Sequence, residues 1–257
     1  PMACLNVLYD IGARDEDENK TGFAHLFEHL MFGGSVNIPN YDEPLQMVGG
    51  ENNAFTTNDI TNYYCTVPVE NLETAFWLES DRMLSLAFTD RSLEVQRSVV
   101  IEEFKQRYLN QPYGDVWLLL RPLAYKNHPY KWATIGKEIS HIENATMEDV
   151  KSFFKAHYMP SNAILVVAGN VEVEQVKEMA EKWFEPIPGG QKPVRNLPVE
   201  PKQTESRQMT VERDVPASSI YKAYHMCARN DDAYYSVEII SDILSRGNSA
   251  RLYKSLV

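Results

Sequence analysis

Cysteine is scarce in this sequence, which contains only Cys4, Cys65 and Cys227. An odd number of cysteines without a Cys-x-x-Cys pair argues against a disulfide scaffold and against a zinc site built from thiolates. A reducing compartment suits such a chain. We therefore expect a cytoplasmic location, or a periplasmic one if a signal sequence lies before residue 1.

The sequence also lacks long apolar runs and an excess of positive charge. No apolar run approaches the roughly 20 residues needed to span a bilayer, so we expect no membrane span. The formal net charge is −11, which repels nucleic-acid phosphate and argues against a nucleic-acid partner. The remaining composition, 44% hydrophobic and 24% charged in 257 residues, is typical of a globular protein with a large core.

Hydrophobic periodicity predicts strands and helices in a mixed order. The predicted strands cover residues 3–13, 61–67, 162–171, 205–213 and 218–228. The predicted helices cover residues 23–32, 70–88, 90–109, 146–157 and 172–184, with another from about 232. Thr21 is the predicted N-cap of the first helix, and Thr146 that of the fourth. Antiparallel-looking strand runs followed by helices favour an α+β fold over a doubly wound parallel sheet.

A segment rich in proline, with a Gly189-Gly190 pair, divides the chain into two parts. We predict a first domain at 1–190, a linker at 191–204, and another domain that begins at 205.

The first predicted helix carries a His-x-x-Glu-His pattern among apolar residues. His25, Glu28 and His29 stand at i, i+3 and i+4, so all three lie on one helix face. Two imidazoles can then bind a single zinc ion, and a carboxylate that is not a ligand can act as general base. An ordinary His–Glu contact is the simpler reading, but burying these polar groups without a metal is costly.

A third ligand is expected from the predicted helix at 90–109. At about 100° per residue, Leu93, Val100 and Phe104 define its buried face. Glu103 falls at the margin of that face, and Glu102 lies about 180° from Leu93. The helix phase therefore favours Glu103 as a ligand and Glu102 as a surface charge.

Several segments together resemble the pitrilysin/insulinase family of inverzincin zinc metallopeptidases, which includes processing peptidases. The matching segments are the inverted zinc motif at 25–29, the GG-x-x-NAFT-like segment at 49–57, and residues 61–64, 97–104, 157–163, 164–169 and 245–252. The resemblance implies a duplicated α+β architecture, in which each domain is an antiparallel sheet with helices packed on one side and the second domain is truncated here. It also implies that 1–190 is the zinc-binding catalytic domain and that 205–257 is the incomplete beginning of the second domain. It further places Glu103 at the ligand position.

The same resemblance implies how the protein acts. We expect hydrolysis of peptide bonds in extended peptides by a metal-activated water, with one zinc per chain and Glu28 as general base. Asn53, Ala54 and Phe55 are expected to bind the peptide as an added β-strand. Gln96 stands where the family often has a supporting glutamate, so the electrostatic support there is weakened. The chain is expected to form a homodimer or to pair with a second family subunit.

Two alternatives compete with this interpretation. The first is a catalytically impaired peptide- or partner-binding subunit of a two-subunit peptidase. The second is the S-ribosylhomocysteine lyases, which also use His-x-x-Glu-His but need a cysteine ligand that the 90–109 segment lacks.

Overall fold

The first part of the chain folds around an antiparallel sheet. The computed structural model describes residues 1–257, which divide into two compact units, Pro1–Ala217 and Ser218–Val257. In the first unit, the strands are β1 (Met2–Tyr9), β2 (Glu51–Thr56), β3 (Thr61–Pro68) and β4 (Ala163–Gly169). They are hydrogen-bonded in the order β2-β3-β1-β4, and every neighbouring pair is antiparallel. The β2 and β4 strands are therefore the two edges of this sheet.

The structure contains ten α-helices. They are α1 (Phe23–Leu30), α2 (Asp42–Met47), α3 (Leu72–Ser85), α4 (Asp90–Phe104), α5 (Val116–Ala124), α6 (Ile139–Glu143), α7 (Met147–His157), α8 (Val173–Phe184), α9 (Tyr234–Ser245) and α10 (Arg251–Leu256). A π-helical turn, Lys105–Leu109, continues α4. All six predicted helices are confirmed, whereas α2, α5, α6 and α10 were not predicted from the sequence. No helix is long and apolar enough to cross a membrane.

The helices cover one face of the sheet. Alternate residues of β1 (Ala3, Leu5, Val7 and Tyr9) are at most 1% exposed and join the core with α1 and α3. On β4 the opposite face leaves Ile164 and Val166 exposed. This one-sided burial is the physical signature of a half-covered antiparallel sheet, and it confirms the predicted α+β class.

A buried ion pair lies within this core. Arg82 and Glu79 are 2% and 0% exposed, and the Nε atom of Arg82 donates to Glu79 at 2.9 Å. The guanidinium carbon lies 4.4 Å from the ring centre of Tyr63 and 4.5 Å from that of Tyr41. The charge of Arg82 is thus compensated by a carboxylate and two aromatic faces, as buried charges require.

The segment between α8 and the end of the first unit contains no helix or strand, although residues 205–213 have a strand-like pattern. That prediction is wrong. A strand needs a neighbouring strand for its backbone groups, and this run pairs with neither sheet edge. Side chains hold the segment instead: Arg195 binds Asp10 and Asp15, and Arg213 binds Asp115 at 2.8 Å.

The second unit contains α9 and α10, and the helix predicted from about residue 232 is confirmed as α9. The strand predicted at 218–228 is wrong for the same reason, because no strand lies beside it. The division between units falls at Ala217–Ser218. The domain and linker bounds inferred from composition stay a prediction.

Candidate metal centre

Helix α1 presents its polar residues on the side away from the core. Phe23, Leu26, Phe27 and Leu30 are at most 4% exposed, and they pack α1 into the first unit. The side chains of His25 and His29 retain 12% and 24% exposure. Apolar anchoring of one helix face therefore fixes the direction in which both imidazoles project.

A buried carboxylate fixes the start of α1. The prediction that Thr21 caps this helix is wrong: Gly22 occupies the cap position with φ of 88°, and no cap-residue side chain bonds there. Instead, Glu16 accepts hydrogen bonds from the backbone N–H groups of Gly22 at 2.9 Å and Ala24 at 2.8 Å. The Thr21 hydroxyl lies 2.8 Å from Nδ1 of His141, so tertiary contacts have displaced it from the local capping geometry.

Burial has an electrostatic consequence for Glu16. Burial raises its pKa to about 8, although the backbone N–H groups of Ala24 and Gly22 oppose the shift. Glu16 was not predicted from the sequence because it lies in the charged run 14–20, which is typical of a solvent-exposed loop.

Glu103 lies close to both histidines. Its Oε2 atom lies 3.5 Å from Nε2 of His25 and 3.3 Å from Nε2 of His29. Ligand atoms of these three residues lie within 4.8 Å of one another. Glu102 is 54% exposed and lies 3.8 Å from Lys105, so the structure separates the two neighbouring glutamates.

The donor set fits zinc. Tetrahedral zinc with bonds of about 2.0–2.1 Å places neighbouring ligand atoms about 3.3 Å apart, and two imidazoles with one carboxylate leave a fourth position open. The Nδ1 atom of His25 is buried without a hydrogen-bond partner. No other side chain therefore orients this imidazole in the way that a carboxylate or carbonyl often orients a ligand histidine.

The protonation states also suit metal binding. Burial lowers the pKa of His25 to about 4, and this effect outweighs the attraction of Glu103. A hydrogen bond from His29 holds the pKa of Glu103 below its ordinary value against the effect of burial. Neutral imidazole and ionised carboxylate are the forms that bind metal at neutral pH.

One charged neighbour contacts Glu103 from the turn that continues α4. Arg107, in the π-helical turn, places Nη1 2.8 Å from Oε1 of Glu103. Gln96 is half-buried on α4 and makes no hydrogen bond to the three converging residues. Glu94, two residues before Gln96 on the same helix, pairs with Arg97. Arg107 was not predicted from the sequence, although its i+4 spacing from Glu103 was a usable signal.

Glu28 lies on the same helix face but is not among the converging ligand atoms. Burial raises its pKa, and a hydrogen bond from Thr56 opposes that shift. The Thr56 hydroxyl donates to Oε2 of Glu28 at 2.5 Å. Thr56 belongs to the NAFT-like segment but was assigned no role from the sequence.

The three residues predicted to bind substrate lie on β2, an edge of the sheet. Phe55 is 45% exposed. The backbone N–H of Ala54 donates to the side-chain oxygen of Asn53 at 2.8 Å. Asn53 thus makes a local bond on its own strand and none to the histidines or to Glu103.

Comparison with known proteins identifies the family. Residues 1–137 match the family model described as Insulinase (Peptidase family M16), and residues 144–257 match the one described as Peptidase M16 inactive domain. The first match covers more than half of the chain. The chain belongs to peptidase family M16. The resemblance drawn from the sequence is confirmed, and His25, Glu28, His29 and Glu103 all lie within the M16 insulinase match.

Similar M16 proteins come from bacteria and mitochondria. The chain is 33% identical over 258 residues to "Zinc protease PqqE" of Helicobacter pylori, covering 98% of this chain and 58% of that protein. It is 27% identical over 199 residues to "Mitochondrial-processing peptidase subunit beta" of Caenorhabditis elegans, covering 76% and 43% respectively. The chain therefore spans only about half the length of these curated relatives.

Solved structures show the same M16 fold. A protease from Helicobacter pylori matches with a TM-score of 0.87 and 31% identity, covering all of this chain and 63% of that one. Pitrilysin matches with a TM-score of 0.67 and 22% identity over 77% of this chain and 22% of that one. The second likeness concerns the fold alone.

Proposed function

We propose that this chain carries the zinc centre of an M16 metallopeptidase, with one zinc held by His25, His29 and Glu103. One observation carries the proposal: Oε2 of Glu103 lies 3.3 and 3.5 Å from the two Nε2 atoms. That spacing is close to the edge of a tetrahedral zinc site. Two of the curated relatives are named as zinc proteases, which supports zinc as the metal.

The chemistry that a bound zinc supplies here is Lewis acidity, which lowers the pKa of a water to about 7 and polarises a carbonyl. Glu28 acts as general base and accepts a proton from the attacking water at Oε1, the oxygen that makes no hydrogen bond to the protein. Glu28 then returns the proton to the leaving amine. Because Oε2 is held by Thr56, the carboxylate keeps one oxygen available for this transfer.

The proposed substrate is an extended peptide that adds to the free edge of β2. Main-chain hydrogen bonds along Asn53, Ala54 and Phe55 would supply most of the affinity, with loose sequence preference. The Ala54 N–H, now bound to the Asn53 side chain, is available for such a bond once that side chain moves aside. The exposed ring of Phe55 offers an apolar contact beside the strand.

A catalytically impaired subunit of a two-subunit peptidase is the alternative function. It is favoured by the match of residues 144–257 to a domain described as inactive and by a relative named as a subunit. In either case we propose that the chain acts as a homodimer or beside a second family subunit.

A single exchange separates these functions in the full-length protein. The Glu28→Gln variant should keep about one zinc per chain, as three protein ligands imply, and lose roughly 100-fold or more of its hydrolysis of an unstructured reporter peptide. The control Glu102→Gln alters an exposed carboxylate on α4 and should retain both properties. Elemental analysis and a fluorogenic peptide assay measure the two quantities.

Three outcomes distinguish the two functions and test the metal centre. If the Glu28→Gln variant still hydrolyses the reporter peptide, Glu28 is not the general base. A zinc-loaded wild type that binds peptide without hydrolysing it favours the impaired-subunit function. A wild type that binds no zinc contradicts the proposed metal centre itself.

A further inference from the structure

The last residue of β2 makes a direct contact with the proposed general base. Thr56 Oγ1 lies 2.5 Å from Oε2 of Glu28, and the contact joins the end of the edge strand to helix α1. Thr56 pairs with Thr61 in the β2–β3 ladder. Its backbone is therefore fixed by the sheet, while its side chain reaches the helix.

The Thr56 hydroxyl has one well-placed hydrogen-bond acceptor, Oε2 of Glu28. Thr61 donates its own hydroxyl proton to the buried carbonyl oxygen of Ile11 at 3.0 Å, and it lies 3.5 Å from the Thr56 oxygen, the outer limit of a hydrogen bond. No other residue donates a hydrogen bond to Glu28. The orientation of the Glu28 carboxylate consequently depends on the Thr56 hydroxyl.

We propose that Thr56 is a positioning residue for Glu28, and this inference rests on the proposed peptidase function. A threonine side chain is stiff at χ1 because Cβ is branched, whereas a glutamate side chain has several accessible rotamers. The bond from Thr56 selects one of these rotamers and leaves Oε1 to take up the proton. Productive geometry in catalysis tolerates only small displacements, so loss of this anchor lowers the rate of the chemical step.

The position of Thr56 adds a second consequence. The strand that would bind the peptide and the residue that orients the base are the same element, β2. The peptide-binding edge and the base are therefore held in register by one strand, without an intervening loop.

Two substitutions at this position test the inference in the full-length protein. Thr56→Val removes the hydroxyl at nearly constant shape, and Thr56→Ser keeps the hydroxyl. The matched control is Thr66→Val, on the adjacent strand β3, where the threonine pairs with Glu51 and makes no side-chain hydrogen bond. Loss of a hydrogen bond to a charged group changes a rate or equilibrium constant by a factor of roughly 10–100.

Thr56→Val should therefore lower kcat about 10- to 100-fold while KM stays within about two-fold and zinc content and Tm stay unchanged. Thr56→Ser should recover most of kcat, and Thr66→Val should match the wild type. A crystal structure of Thr56→Val should show Glu28 in more than one rotamer, while Thr66→Val should show a single one. The crystallographic measurement does not depend on activity.

The contrary results are distinct. An active wild type with Thr56→Val equal to Thr66→Val and a single Glu28 rotamer overturns the role of Thr56 alone. A loss in Thr56→Val that appears in KM and Tm and is not rescued by serine assigns Thr56 to strand stability instead. A wild type without zinc or hydrolysis refutes the proposed function, and the positioning role is refuted with it.

Discussion

The buried carboxyl of Glu16 gives a quantitative prediction about stability and pH. In the Glu16→Gln variant, the amide oxygen accepts from one of the two backbone N–H groups at Gly22 and Ala24, but the amide nitrogen cannot accept from the other. Both oxygens of the wild-type carboxyl keep acceptor capacity even when the group is protonated, as it is at pH 5. A buried donor left without an acceptor costs about 1–3 kcal/mol. Two such donors, the N–H and the new NH2 group, give an expected loss of about 2–6 kcal/mol at pH 5.

The loss should shrink as pH rises. The pKa of Glu16 is raised to about 8 in the folded protein from an ordinary value of 4.5, so the folded state holds this proton more tightly than the unfolded state. The stabilisation is fully present below about pH 4.5 and is lost as pH rises through about 8, by roughly 1.4 kcal/mol per unit. Glutamine does not titrate, so the two proteins should approach equal stability near pH 8.

Urea unfolding of the full-length protein at pH 5, 6.5 and 8, with a chelator present in every sample, measures this difference. The chelator removes the contribution of metal binding to the folded state. Glu18→Gln is the control, because Glu18 is 49% exposed and pairs with Lys131; its effect should stay within about 0.5 kcal/mol. A difference between wild type and Glu16→Gln that stays constant or widens from pH 5 to 8 refutes the reasoning. It would mean that the backbone N–H groups outweigh burial and keep the carboxylate ionised.

Two further predictions concern the third ligand and the segment after α8. Glu103→Gln should weaken zinc binding by more than about 100-fold, since changes to residues that only support a ligand already lower metal affinity 10- to 100-fold. The control Glu102→Gln should leave the zinc affinity within about two-fold of the wild type. Competition with a chromophoric chelator measures both affinities, and a larger loss in Glu102→Gln than in Glu103→Gln would exclude Glu103 as the ligand. Arg195→Ala should speed proteolytic cleavage within 186–203, while the exposed Lys202→Ala should not. Although burial raises the pKa of Asp10, the hydrogen bonds from Arg195 and Lys192 hold it at about 2, so the Arg195 contact should persist as pH falls and weaken only as pH approaches 2. Equal cleavage rates in the two variants would show that Arg195 does not hold the segment.

Residue spacing within one helix was enough to predict which side chains share a face. His25 and His29 share a face because an α-helix brings i and i+4 together wherever the helix lies. The burial of Val100 likewise fixed the rotation of α4 and separated Glu103 from Glu102. In these cases backbone hydrogen bonds inside a single helix set the geometry, so a local pattern was sufficient.

Contacts between distant parts of the chain could not be predicted from residue spacing and became clear from the folded structure. The approach of Glu103 to His25 within 3.5 Å depends on how α1 and α4 pack, and the capping of α1 by Glu16 depends on the path of a loop that reads as solvent-exposed. The strand-like residues 205–213 failed to form a strand because alternation specifies two faces but supplies no hydrogen-bonding neighbour. Contacts between elements are set by packing and strand register, and neither quantity is encoded in the spacing of residues along one segment.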